Sequence, residues 1–208
     1  DVMIENCGSG AMRADYAQLS RLDLQSTSDQ CDPLVYAAIA AGAGLTIPPE
    51  QQGNWGYAQE EMNDETAVFT LATGVMGRLY LSGFIDCMTE PRLSLVRNAI
   101  ALHRRILAEQ SALVPFWSAG LPGFNAEWLT SGLRHTEAAS RWRSETEGGS
   151  SDTGPQTDYI IIWRRGGTPS LCMPLAQGDE IEQIFPDPVN PDHAPETKPW
   201  TIERLDPE

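Results

Sequence analysis

Several things that would settle the class of this chain at once are missing from it. No run of apolar residues approaches the roughly 20 that a membrane-spanning helix needs, so no membrane partner is expected. The four cysteines, Cys7, Cys31, Cys87 and Cys172, form no Cys-x-x-Cys pair and no zinc-ligand spacing. They read as reduced, buried thiols of a cytoplasmic protein. His103, His135 and His193 are scattered and show no metal-ligand spacing, so no metal is expected. "GAGLT" falls short of the Gly-x-Gly-x-x-Gly dinucleotide pattern, and "CGSGA" is not a Gly-x-Ser-x-Gly nucleophile elbow. No cofactor is expected. Positive charge is scarce: 14 Lys and Arg face 29 Asp and Glu, a net charge of −15. Such a surface repels phosphate backbones, which argues against nucleic acid as a partner. It suits a soluble protein acting on a neutral or cationic ligand.

What is present is an ordinary apolar fraction, 41 %, over 208 residues, enough for a packed core. Val2–Glu5 reads as a short buried strand, and Gly8 and Gly10 as the turn after it. Residues 13–19 can form a helix, and "LDLQS" (Leu22–Ser26) alternates like a strand. Asp32 followed by Pro33 is an N-cap and first-turn proline opening the helix "LVYAAIAAGAG". "GLTI" (Gly44–Ile47) reads as a strand running into a proline loop, and "QQGNWGYAQ" as a loop. Asn63 or Asp64 can cap a helix reaching about Thr73, and "RLYLSG" is a strand or a docking turn. Thr89 caps a long helix with Leu93, Val96, Ile100 and Leu107 along one face. Strand and helix alternating in this way predict βαβ units and a parallel sheet.

The character changes after Pro115. "FWSAGLPGFNAEWLTSGLRH" is rich in Gly and aromatics, and Ser144–Asp158 has the composition of a mobile loop. "YIIIWRR", "SLCMPL" and "PWTIERLD" read as three short strands of an antiparallel β domain. The expected division is therefore an α/β part over 1–114, a connecting segment over 115–157, and a β domain over 158–208. A closed barrel of eight βα units needs about 250 residues. The chain also opens on Asp1 rather than methionine. It is expected to be the C-terminal piece of a longer protein.

Two aspartates stand in one loop. Asp32 has a structural duty as the helix cap; Asp29 has none, and it follows a strand, where barrel chemistry is placed. Cys7 also ends a strand and on its own reads as a small core residue. Gly10 permits close backbone approach. Arg13 can pair with Asp15 or lie on the surface. Glu5 ends the first strand. Trp55 can stack on a sugar or pack in the core, while Trp117 and Trp128 read as packing between the two parts.

"ENCGSGAMRADY" followed by "SDQCDP" resembles the late barrel strands of glycoside hydrolase family 36, the α-galactosidases. The family's Cys-x-x-Gly-x-x-Arg motif matches Cys7, Gly10 and Arg13 without a gap. Its Ser-Asp-x-x-Asp loop matches Ser28, Asp29 and Asp32. "NWGY" and "GRLYLSG" are also similar to that family. The resemblance implies the C-terminal part of a (β/α)8 TIM barrel followed by an antiparallel β-sandwich. It implies a retaining enzyme that needs no metal and releases terminal α-linked galactose from oligosaccharides. Asp29 would be its general acid/base. Cys7, Gly10, Arg13 and Gln30 would bind substrate, with Cys7 and Gly10 bordering the galactose 2-hydroxyl. A homo-oligomeric parent stays open. Retaining glycosidases need two carboxyl groups about 5–5.5 Å apart. The family's nucleophilic Asp lies in a Lys-x-Asp context that this chain does not contain, so the chain alone is expected to be inactive. The alternatives are an α-N-acetylgalactosaminidase, against which the Cys–Gly wall argues, and a non-catalytic carbohydrate-binding or structural module.

Overall fold

The computed structural model describes residues 2–136, 157–175, 179–187, 200–203 and 205. The helices start where polar caps dictate. The Asp32 carboxylate accepts from the amides of Leu34 (2.8 Å) and Val35 (3.1 Å), and Pro33 opens helix α3, Pro33–Ala43. Asn63 Oδ1 accepts from Thr66 N at 2.8 Å and starts α4, Asp64–Gly74. Thr89 precedes α5, Glu90–Glu109, but its hydroxyl does not cap. Its amide and hydroxyl both donate to the Glu60 carboxylate instead, at 2.9 and 2.8 Å. The buried side of α5 carries Leu95, Val96, Ala99 and Ile106, with Leu93 and Ile100 at its margin. Two single turns near the start, α1 (Gly8–Ala11) and α2 (Tyr16–Leu19), complete the α-helices among the described residues.

Strands β1 (Glu5–Asn6), β2 (Leu24–Ser26), β3 (Gln52–Gly56) and β4 (Arg78–Leu81) form a parallel sheet in the order β1-β2-β3-β4. The order follows the chain without reversal. Parallel neighbours need a crossover between them, and crossovers in a sheet share one hand. Strands laid down in sequence therefore place their helices on one face. Residues of α3, α4 and α5 do share one core. Register pairs Glu5 with Leu24, Ser26 with Gly53, and Trp55 with Tyr80. Side chains alternate across the sheet. Leu79 faces the helices against Gly74 and Gly56. Ser26, Trp55 and Tyr80 lie on the other face, where Trp55 Nε1 donates to Ser26 Oγ at 3.3 Å. Gly53 is required there: a Cβ would stand 2.6 Å from the Tyr80 ring.

β5 (Leu113–Phe116), β6 (Trp128–His135) and β7 (Tyr159–Arg164) form an antiparallel sheet in that order. Leu129, Leu133, Tyr159, Ile161 and Trp163 join the same core as the helices. Trp163 Nε1 donates to Thr73 Oγ1 (3.1 Å), and Trp117 Nε1 to the Ala41 carbonyl (2.7 Å). Both sheets thus share one apolar interior. β5 runs across residues 114–115, and β6 falls within 115–157.

The mixed α/β class, with a parallel sheet and a separate antiparallel one, agrees with the sequence reading. Several elements differ. Gly44–Ile47 is a turn, closed by Leu45 N to Gly42 O and Ile47 N to Ala43 O, and not a strand. The strand is Gln52–Gly56, read as a loop because glycines and amides replace its apolar pattern. The first strand begins at Glu5 rather than Val2. "SLCMPL" and the described part of "PWTIERLD" form no strand. All four cysteines are free and exposed rather than buried. Trp117, just after β5, packs on the end of α3, beside Ala41 and Gly44. Trp128 instead donates to the Thr168 carbonyl and meets Trp200 edge-on. Residues 144–156 of the expected mobile loop lie outside the described residues.

Candidate functional site

In parallel sheets the loops leaving the C-terminal strand ends collect on one rim, where barrel folds place their chemistry. Here that rim carries Cys7 after β1, Asp29 after β2 and Tyr57 after β3. The turn after β1 is left-handed at Gly8 (φ +47°), Gly10 (φ +72°) and Ala11 (φ +68°). It brings Gly10 against Asp29. A Cβ on Gly10 would lie 3.0 Å from Asp29 N and 3.3 Å from both its Cγ and Oδ2. Cys7 Sγ donates to Asp29 Oδ1 at 3.6 Å across 22 residues of sequence. Two motifs far apart in the chain thus meet at one exposed carboxylate.

The other predicted residues serve their own loops. Arg13 pairs with Asp15, Nε to Oδ2 at 3.6 Å, and its carbonyl accepts from Asn6 Nδ2 at 2.8 Å. Its side chain is two-thirds exposed. Gln30 N donates to Ser28 Oγ (3.1 Å), and Gln30 Oε1 accepts from Asp32 N (2.9 Å), so the side chain braces the loop. Cys31 Sγ donates to the Asp29 carbonyl at 3.5 Å. Asp32 is the cap the sequence indicated.

Beneath the rim, buried polar groups fix the strand ends. Thr27 Oγ1 lies 2.7 Å from Tyr36 Oη, 3.0 Å from Gly53 O and 3.1 Å from Asn54 Oδ1. Tyr36 Oη accepts from Trp55 N at 2.8 Å. Burial pushes the Tyr36 phenol up to about 12, against the pull of its hydrogen bonds with Thr27 and Trp55. Gln25 is fully buried. It clamps β1 to β2 by accepting from Asn6 Nδ2 (2.7 Å) and donating to Asn6 O (3.1 Å).

Sequence reasoning missed the aromatic cluster that lines this rim. Trp55 stacks on Tyr57, with centroids 5.5 Å apart and planes at 10°, and meets Tyr80 edge-on at 5.1 Å. Tyr36 meets Tyr57 edge-on at 6.2 Å. Trp55 is therefore a packed, half-buried ring rather than an open one. "WGY" in a strand was the available signal: period-2 spacing puts Trp55 and Tyr57 on one face. Burial raises the Tyr57 pKa, helped by the Cys31 thiol, Tyr36 and the Asp29 carboxylate. Burial also raises Tyr80, helped by the Glu5 carboxyl, while its hydroxyl meets no partner of ordinary hydrogen-bond geometry.

An exposed carboxyl on a braced loop, walled by a thiol and a glycine and bordered by aromatics, can give and take a proton beside a polar, ring-shaped ligand. Among the described residues, no group of three or more His, Cys, Asp or Glu is arranged to hold a metal ion. No helix among them is long and apolar enough to cross a membrane. A shallow cavity of about 330 Å³ lies away from the rim, between the turn after α3 and β5, lined by residues such as Ile47, Pro48 and Leu113. That is the N-terminal side of the strands, which in barrel folds serves stability rather than chemistry. No family model, curated protein or solved structure matches the chain.

Proposed function

We propose that this chain is the C-terminal part of a cytoplasmic, retaining α-galactosidase similar to glycoside hydrolase family 36. Its parallel sheet would be an arc of the catalytic (β/α)8 barrel and its antiparallel sheet part of the following β-sandwich. The observation that supports this most is the meeting of Cys7 and Gly10 with Asp29 on the rim of the parallel sheet. The four strands in chain order suit a barrel arc. The close Cys7–Gly10 wall favours galactose over N-acetylgalactosamine, whose 2-substituent is bulkier.

In this reading Asp29 donates its proton to the glycosidic oxygen as that bond to the anomeric carbon breaks. The nucleophilic carboxylate, supplied by a part of the protein outside these 208 residues, forms a galactosyl ester. Asp29 then takes a proton from water as water displaces the ester, and the configuration is retained. The test is kinetic, on the full-length protein. Asp29→Ala should cost raffinose hydrolysis on the order of 10²–10⁴-fold, the usual range for general acid–base catalysis. An activated aryl α-galactoside, whose leaving group departs without a proton, should suffer far less. Equal losses on both substrates refute the role. The purified 208-residue chain should hydrolyse neither.

A further inference from the structure

An acid/base carboxyl stands on the leaving-group side of the bond it cleaves. Cys7 and Gly10 flank Asp29 from the β1 side and are assigned to the galactose, which leaves the β3 side of Asp29 for the departing group. Tyr57 stands on that side, just after β3. Register aligns Ser26 with Gly53. Asp29 and Tyr57 therefore leave adjacent strands a few residues beyond one aligned pair. The Tyr57 ring is half-buried. It is held from below by its stack on Trp55 and from the side by the edge of Tyr36.

This pair is fixed at three points, two through its main chain and one through the Trp55 indole. Trp55 N donates to Tyr36 Oη (2.8 Å), Trp55 Nε1 to Ser26 Oγ (3.3 Å), and Tyr57 N to the Thr70 hydroxyl (3.1 Å). A rigid aromatic ring presents an apolar face at little entropic cost, and the C–H faces of a pyranose pack on such a ring.

We propose that Tyr57, carried on Trp55, is the platform for the sugar that leaves, and so a specificity-determining residue that favours saccharide over simple alkyl leaving groups. The inference rests on the α-galactosidase reading. It concerns the ring of Tyr57, whose face is fixed by its stack on Trp55.

The experiment compares melibiose with methyl α-galactoside in the full-length protein. Both leaving groups are poor and need the proton from Asp29, but only melibiose has a ring to stack. Tyr57→Ala should lower kcat/KM for melibiose on the order of tenfold, mostly through KM. Methyl α-galactoside should change less than about twofold, and that retained rate also shows the variant is folded. Tyr57→Phe and Tyr57→Trp should keep the preference for melibiose. Equal losses on the two substrates would mean that Tyr57 acts through Asp29, and would overturn the proposal. So would a Tyr57→Phe variant as impaired as Tyr57→Ala. A wild-type protein that cleaves neither substrate defeats the α-galactosidase reading itself, and this inference with it.

Discussion

Leu129, Leu133, Ile161 and Trp163 of the antiparallel sheet and Gln25, Ser26, Gln52 and Asn54 of the parallel sheet are all buried, yet they serve opposite ends. The first set fills the shared core. Polar pairs of that sheet, such as Arg134 with Asp158 at 2.7 Å, sit at its margins. The second set joins strand to strand and loop to strand, as Gln52 does by donating to the Ile47 carbonyl at 2.6 Å. A buried polar group left unpaired costs about 1–3 kcal/mol, so amides in such positions tie the backbone to one geometry. Strand direction explains why the difference matters. Parallel strands deliver every C-terminal loop to the same rim, so residues 22 apart such as Cys7 and Asp29 can meet there. Antiparallel strands send successive loops to opposite ends, and the polar cluster this sheet does form, His135 and Tyr159 on the Glu109 carboxylate at 3.1 and 3.2 Å, ties β6 and β7 to the end of α5.

The contrast can be broken at the core the sheets share. Leu71, on α4, is fully buried within it. Leu71→Ala should destabilise the chain by about 2–5 kcal/mol, the usual cost of a large-to-small core change. Both sheets should unfold in one transition, followed by tryptophan fluorescence and far-ultraviolet circular dichroism. Separate transitions would show that the sheets are independent units.

Two glycines sharpen the contrast. A Cβ on Gly10 would press on the backbone and carboxyl of Asp29, and φ there is +72°. In the full-length protein Gly10→Ala should cost activity on the order of 10²-fold, the scale of a displaced catalytic group. A Cβ on Gly132 would stand 2.4 Å from Phe116 Cε1. Gly132→Ala should cost about 1–3 kcal/mol by overpacking and leave kcat unchanged. Kinetics and denaturant titration of the two variants check the pair. A Gly132→Ala enzyme that loses catalysis would place chemistry on the antiparallel sheet as well.

The smallest expected effect separates the loop aspartates. Asp32→Ala removes the acceptor for Leu34 N and Val35 N. It should lower stability by about 0.5–2 kcal/mol, as lost caps do. Asp29→Ala should leave the denaturation midpoint nearly unchanged. The reverse pattern would exchange the two roles.

Local chemistry made the helices legible. Asp32–Pro33 and Asn63 announce α3 and α4 because a cap is written in adjacent residues. The meeting of Cys7, Gly10 and Asp29 was legible only as a resemblance, since no spacing rule brings residues 7 and 29 together. β3 was not legible. Its glycines exist to admit the Tyr80 and Leu79 side chains, and its amides answer partners elsewhere in the fold. Both causes are tertiary. The pairing of Arg13 with Asp15 is legible from the residues themselves, whereas the bracing of the Asp32 amide by Gln30 is a loop contact that a motif match does not reveal.

The central claim is that Asp29 serves a retaining double displacement, and one product tests it most directly. Full-length Asp29→Ala is supplied with an activated aryl α-galactoside and azide, and the product is identified by NMR. Without its base the variant accumulates the galactosyl ester, which a small anion can attack unaided. The account predicts faster turnover with azide and an α-galactosyl azide product, because azide displaces the β-linked ester from the face the leaving group vacated. Formation of the β-azide, which marks a missing nucleophile instead, or a rate and product unchanged by azide, would contradict it.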